Sequence, residues 1–341
     1  MIIDTTLGDL EAAARDAGTA EAAGYAGAFT GEVSSDPFLP LALAAGATER
    51  MTLGTAIAVA FARSPMALAY TAHDLQRLSR GRLMLGLGSQ VRAHITRRFS
   101  MPWGRPVAQM REFVLAMRAA WNSWESGEPL RFEGEHYQHT LMPPAFAARP
   151  HGHGSPAVLL AGVGDAMTRM AGEVADGFLC HGFTTERWIR EHTLPALAQG
   201  RRRAGKTMDG FTVKAAVFLA TGTEEETAKA ARKIRSSIAF YASTPAYKPI
   251  LDLHGWGEAA AELTRLSKEG RWAEMDALVT DDMLHSFAIV GPPEQVPGLL
   301  AGRCAGVVNR VSFLVGAPPP ELLAAIAGAD LGRDSAGPVQ K

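Results

Sequence analysis

Short apolar runs alternate with amphipathic stretches along most of the chain. Eight runs stand out: MIIDTT (1–6), AGAFT (26–30), TLGTAIAV (52–59), RLMLGLG (82–88), AVLLAG (157–162), DGFLCHG (176–182), VKAAVFLA (213–220) and VNRVSFLV (308–315). Each has strand length and continuous rather than alternating hydrophobicity, the pattern of a strand covered on both faces. Between them, Phe38, Leu41, Ala42 and Ala45 keep i, i+3, i+4, i+7 spacing, as do Met167, Met170, Ala171 and Val174, and each set gives a helix one face to bury. A helix between two such strands forces a parallel crossover. Eight repeats of the unit predict a (β/α)8 TIM barrel, a class that takes about 250 residues or more. The barrel is expected to be a single domain over 1–328, with insertions after strands 4 and 7. Residues 92–104 and 127–156 interrupt the fourth unit and its exit, and 243–290 add helical material before the last strand. The tail 329–341, ending DLGRDSAGPVQK, reads as disordered.

Composition narrows the function. With 341 residues, 47% of them hydrophobic, the chain is long enough for one large α/β domain or two ordinary ones. A net charge of −1 gives no reason to expect nucleic acid as a partner. The start, MIIDTTLGDLEAAARDAG, lacks the basic and apolar regions of a secretory signal, and no segment approaches the roughly 18 apolar residues of a membrane span. The expectation is a soluble, cytoplasmic protein. Cys180 and Cys304 have no CxxC partner, which favours buried small hydrophobes over a disulfide or a metal site.

A barrel builds its active site at the carboxyl ends of its strands. Glu32 follows the second run, Ala56 to Phe61 end the third, Gly88-Ser89-Gln90 end the fourth, Gly162-Val163-Gly164 end the fifth and His181 ends the sixth. The pair Gly86 and Gly88 begins a dinucleotide-loop pattern, but its third glycine place holds Val91, so the stretch is no Rossmann fingerprint. Gly162 and Gly164 precede Asp165 and a helix whose free N–H groups suit an anion. Plainer roles stand beside these. Glu32 can pair with an arginine or cap the helix starting near Pro37, and His181 can be structural. His94 lies in a loop insertion where exposure is ordinary. The His151 and His153 pair precedes strand five, at the face opposite a barrel's active site. Arg97, Arg98 and Arg105 form a basic loop, and Arg201 to Arg203 end a helix, where cations are favoured by about 0.3–1 kcal/mol.

Two stretches, LGTAIAVAFARSPMALAYTAHDLQRLSRGRLMLGLGSQ (53–90) and LLAGVGDAMTRMAGEVADGF (159–178), together resemble the bacterial luciferase-like flavin superfamily. The chain looks most like the branch using the deazaflavin coenzyme F420, and the segments DPFLPLALAAGATERMTLGTAIAVAF and MPWGRP look like a specific oxidoreductase subgroup of that branch. The resemblance implies a non-prolyl cis peptide at Ala56-Ile57 supporting the central ring of the cofactor. It implies that Gly88, Ser89 and Gln90 line the side of that ring, where a side chain on the glycine would collide with it. Ala161, Gly162, Val163 and Gly164 would meet the phosphate or ribityl portion. It also implies that Arg97, Arg98 and Arg105 are candidates for an acidic cofactor tail, and that a homodimer forms through early barrel helices.

The sequence departs from the sugar-phosphate dehydrogenases of that branch. Glu32 is followed by Val33 where those enzymes have a catalytic histidine, Val91 replaces a second catalytic acid, and Thr184 replaces a phosphate-holding lysine. The implied substrate is therefore a small neutral or apolar carbonyl, alcohol or enone. A deazaflavin transfers hydride, so the protein must position the substrate and move one proton. Glu32, His181 and, third, His94 are the candidates for that proton. The alternatives are an FMN-dependent monooxygenase on the same fold and a non-catalytic barrel that binds a flavin-like ligand.

Overall fold

A computed structural model describes residues 1–315 and 318–328; the tail 329–341 lies outside the described residues. All eight expected strands form: β1 (Ile2–Thr6), β2 (Gly27–Thr30), β3 (Thr52–Thr55), β4 (Leu83–Gly88), β5 (Ala157–Ala161), β6 (Gly177–Leu179), β7 (Thr212–Ala220) and β8 (Arg310–Val315). The fold is a (β/α)8 TIM barrel. The third apolar run is not one strand: it breaks after Thr55 and resumes as a two-residue strand, Ala58–Val59, that pairs with the end of β4.

The chain divides into two compact units, one of Asp4–Leu179 with Pro195–Thr212, the other of Met1–Ile3, Cys180–Leu194 and the described chain from Val213. In the first unit, β1 to β6 lie in sequence order, every pair parallel. Close strand approach explains its glycines. A Cβ on Gly54 would fall 2.5 Å from the Phe29 ring, and one on Gly86 would fall 1.9 Å from the Thr55 carbonyl oxygen. The helix Leu39–Ala47 buries Leu41, Ala44 and Ala45, and Asp165–Val174 buries Met167, Met170, Ala171 and Val174, the full set read from spacing. Of the first expected face, Ala42 is only half-buried, because the stripe runs through Ala44 instead. The 92–104 insertion carries a short helix, Arg92–Arg97. The 127–156 insertion carries a two-stranded hairpin, Phe132–Glu133 with Gln138–His139.

In the second unit, β7 runs parallel to β8 on one side and to the short strand Ala288–Val290 on the other. The insertion after β7 is helical, as expected, with helices at Glu224–Ala242, Lys248–Leu253, Gly257–Lys268, Trp272–Met275 and Asp281–Phe287. A capping box of Thr223 and Glu226 starts the first of these. Ile234, Ile238, Leu251, Leu263, Met283 and Phe287 bury its apolar faces against Phe183 and Phe218. Each such side chain contributes about 1.5–3 kcal/mol on burial, which holds the insertion to the strand ends. No helix among the described residues is long and apolar enough to cross a membrane.

Candidate functional site

The bend after β3 is built from three segments of the first unit. The Ala56-Ile57 peptide is cis, at the position where the resemblance puts such a bond. Ala56 N–H donates to Thr30 O at 2.7 Å, and Glu32 N–H donates to Ile57 O at 3.0 Å, so β2 holds both sides of the bend. The Glu32 carboxylate finishes the brace: Oε2 accepts from Val59 N–H at 2.7 Å and from the Arg63 guanidinium at 2.6 Å. Arg63 also reaches the Val59 carbonyl and lies over the Phe38 ring, 5.2 Å from its centroid. With its side chain only 7% exposed, Glu32 is a paired acid tying the end of β2 to the bend. It does not cap the following helix: Asp36 does so, accepting from Phe38 and Leu39 N–H at 2.8 and 3.1 Å. Val33 is 74% exposed.

The two glycines of β4 have different reasons. Gly86 is clasped by Thr55, whose Oγ1 donates to Gly86 O at 2.6 Å and accepts from Gly86 N–H at 3.0 Å. Gly88 makes room for the bend itself: a Cβ there would stand 3.0 Å from Ile57 Cδ1 and 3.2 Å from Cγ1. The neighbour that excludes a side chain at Gly88 is thus Ile57 of the protein. Ser89 and Gln90 are half-buried, and Gln90 takes a positive φ of 58°, its Oε1 accepting from Val91 N–H at 3.0 Å. His94 is exposed on the helix Arg92–Arg97.

At the end of β5, Ala161 and Gly162 are half-buried, while Val163 and Gly164 are exposed. Gly164 begins the ten-residue helix Asp165–Val174 with no side-chain cap. A Cβ on Gly162 would meet Met167 Cγ at 2.6 Å, so the tight turn needs a glycine, and around Gly164 nothing lies within 4 Å. Open space against uncapped N–H groups is a chemical fit for a phosphate or sugar oxygen. Together with the braced apolar bend, this surface fits a flavin-type group.

In the second unit, His181 follows β6 and meets the helical insertion. Its Nδ1 accepts the Phe183 N–H at 3.0 Å, and its Nε2 lies 3.1 Å from Tyr247 Oη. The imidazole stacks on the Tyr247 ring, with centroids 4.8 Å apart, and meets the Tyr241 ring edge-on at 5.1 Å. Burial pushes the imidazole down to about 4, so the ring is neutral at physiological pH. Burial, with Tyr241 adding to it, pushes the Tyr247 hydroxyl up to about 12. Tyr247, Tyr241 and Arg63 were not legible as site residues. The tyrosines belong to an insertion whose path no periodicity reveals, and Arg63 carries no motif beyond lying four residues after Val59.

The remaining candidates have structural explanations. His153 approaches Gly81, ahead of β4, and His151 lies tilted against His73 of the helix Pro65–Leu78, with ring centroids 4.3 Å apart. Glu112, Glu135 and His136 come within 4.8 Å of one another, but the Glu112 carboxylate accepts the N–H groups of Glu135, His136 and Tyr137 and clasps the hairpin. Arg105 pairs with Glu135, Arg98 donates to the Val33 carbonyl, and Arg201 donates to Thr207 O at 2.6 Å. Cys180 and Cys304 are buried free thiols.

The braced bend after β3 and the turn after β5 both stand at the carboxyl ends of parallel strands, the end where a barrel of this kind builds its site. The model of the luciferase-like monooxygenases matches residues 3–308, and the chain belongs to that family. An uncharacterized protein of Mycobacterium tuberculosis is 50% identical over 311 residues, covering 91% of this chain and 92% of the relative. A second protein of that organism, provisionally named a coenzyme F420-dependent oxidoreductase, is 27% identical over 315 residues, covering 86% and 87%. Among solved structures, the coenzyme F420-dependent tetrahydromethanopterin reductase of Methanopyrus kandleri matches with a TM-score of 0.78 at 20% identity, covering 96% of this chain and 97% of that one.

Proposed function

We propose that this protein is a coenzyme F420-dependent oxidoreductase acting on a small neutral or apolar carbonyl, alcohol or enone. The observation that carries the reading is the Glu32–Arg63 brace: the acid at the end of β2 is spent on holding the bend, where the arginine neutralises it. A neutralised bend suits a flat ring and an uncharged substrate better than a sugar phosphate. The name of the 27% identical relative supports F420 as the cofactor. When bound, the reduced deazaflavin supplies a hydride equivalent.

Residues of the chain divide the remaining work. Ala56, Ile57, Gly88, Ser89 and Gln90 hold the ring, and Ala161, Gly162, Val163 and Gly164 receive the phosphate or ribityl part. Of the three residues read from sequence as proton handlers, the surroundings favour His181. Glu32 is consumed by its brace, and His94 stands exposed without a side-chain hydrogen bond among the described residues.

Parallel fluorescence titrations of the purified protein with F420 and with FMN test the reading. Saturable binding of F420, with FMN weaker, is the expected result. A preference for FMN, with oxygen consumption on adding FMNH2, would favour the monooxygenase reading that the family's description motivates. Binding of neither would overturn the cofactor assignment.

A further inference from the structure

A groove of about 480 Å³ lies wholly within the first unit, between the first two turns of the helix Pro106–Ser126 and the helix Asp165–Val174. Val107, Ala108, Ala166 and Met170 give it an apolar lining, and Arg105, Arg111, Arg169 and Arg203 line it with guanidinium groups. Close packing brings the last of these in. A Cβ on Gly172 would meet the Leu197 carbonyl oxygen at 2.3 Å, and one on Gly200 would meet that of Arg169 at 1.9 Å, so the helix ending at Arg203 lies tight against Asp165–Val174. From Ala166 to Glu173 the groove follows that helix for about 10 Å, at roughly 1.5 Å per residue.

Charge in the groove is unbalanced. Arg111 at 3.4 Å and Arg203 at 3.6 Å share Glu173, and Arg105 pairs with Glu135. Arg169 has no carboxylate partner among the described residues, and its Nε is buried without a hydrogen bond. Surface arginines are commonly solvated and nothing more. Two features argue for a ligand here. One guanidinium is left uncompensated beside apolar side chains, while Arg105, Arg111 and Arg203 keep 66%, 51% and 54% of their side chains exposed and open to an anion. The second feature is position: Ala166 lies two residues beyond Gly164, so the groove opens beside the turn assigned above to the cofactor's phosphate or ribityl part.

We propose that this groove receives the glutamyl tail of F420, with Arg169 as its uncompensated anchor, and that it makes the protein discriminate cofactor forms by tail length. The inference rests on the F420 reading above. Beyond its phosphate the cofactor carries a chain of γ-linked glutamates, with a free carboxylate at each residue and methylenes between. Carboxylates at that spacing match the guanidinium groups, and the methylenes match the apolar lining; a bare polyphosphate would use only the first. The loop arginine Arg98 is engaged elsewhere, on the Val33 carbonyl.

The test is a pair of fluorescence titrations, one with F420 bearing a long glutamyl tail and one with the tail-free form. At low salt, wild type should bind the long-tailed form about tenfold more tightly, the yield of two or three exposed ion pairs. Raising the salt to about 0.5 M, where the Debye length is about 4 Å, should bring the ratio towards one. In the double variant Arg105→Gln with Arg169→Gln the low-salt ratio should fall to about twofold or less, with affinity for the tail-free form within about twofold of wild type. Those changes strand no buried carboxylate, since Glu135 is 64% exposed. Arg15→Gln makes the same kind of charge change at an exposed site on the helix Ala13–Ala22 and should keep the ratio. Equal affinities for both forms in wild type, a ratio indifferent to salt, a ratio that survives in the double variant, or a loss matched by Arg15→Gln overturns the role of the groove and leaves the cofactor reading standing. Binding of neither form overturns the cofactor reading instead. A free γ-linked glutamate oligomer, added to protein with 15N-labelled arginine, then decides the groove: a saturable shift of the Arg169 Nε–H resonance sustains it as a site for a chain of carboxylates, and an unmoved resonance overturns it.

Discussion

Acidification should weaken this protein through His181 in a defined window. In the fold the imidazole takes a proton only near pH 4, because burial opposes the charge; in the unfolded chain it takes one near 6.5. Between those values the unfolded state binds a proton that the folded state refuses, so stability is present above 6.5 and is lost as pH falls toward 4. Working the two binding curves at pH 5.0 against pH 7.5 gives a loss of about 2 kcal/mol from this residue alone. Other groups titrate as well, so the measurement is a difference between wild type and His181→Asn. The variant keeps an acceptor for Phe183 N–H and has nothing to protonate. Urea unfolding at a series of pH values from 7.5 to 5.0 should show the stability gap between the two proteins shifting by about 2 kcal/mol in favour of the variant as pH falls. The His181 Cε1–H resonance should meanwhile show no titration above pH 5. Parallel stability curves, or a ring that titrates near 6.5, would refute the argument that burial and the Phe183 bond fix a neutral imidazole.

Three further outcomes follow from contacts elsewhere. Gly86→Ala should cost about 3 kcal/mol in urea unfolding, because the new Cβ meets a backbone carbonyl, while Gly88→Ala should cost about 1 kcal/mol, because the Ile57 side chain can turn aside; the opposite order would discredit the packing reading of β4. Arg63→Met strands the Glu32 carboxylate and should cost about 3 kcal/mol. Glu32→Gln still accepts from Val59 N–H and should cost about 1 kcal/mol, so equal losses would mean that the ion pair is not what braces the bend. Burial pushes the Cys180 thiol up to about 12 and Cys304 up to about 11, so a thiol reagent at pH 8 should label neither until urea unfolds the chain, and prompt labelling of either native thiol would contradict their burial.

Periodicity determined the architecture. The eight apolar runs became eight strands because a parallel strand buried on both faces must be apolar throughout, a property each segment carries in its own residues. The Met167, Met170, Ala171 and Val174 stripe became a buried helix face for the same local reason. Spacing also placed Gly88 at the last position of β4 and Glu32, the β5 turn and His181 just beyond strand ends, since chain order along a strand fixes which end a residue follows. Their roles depended on atoms distant in sequence. Glu32 is a brace only because Arg63 and Val59 come to it from 31 and 27 residues away, and Gly88 is small because Ile57 fills its place. Tyr247 reaches His181 across 66 residues through a helical insertion whose own pattern shows which faces are buried but not where the bundle lands. Local sequence sets backbone preference and burial, while hydrogen-bond partners and the direction of a proton arise only when the packed chain brings separate segments within about 3 Å.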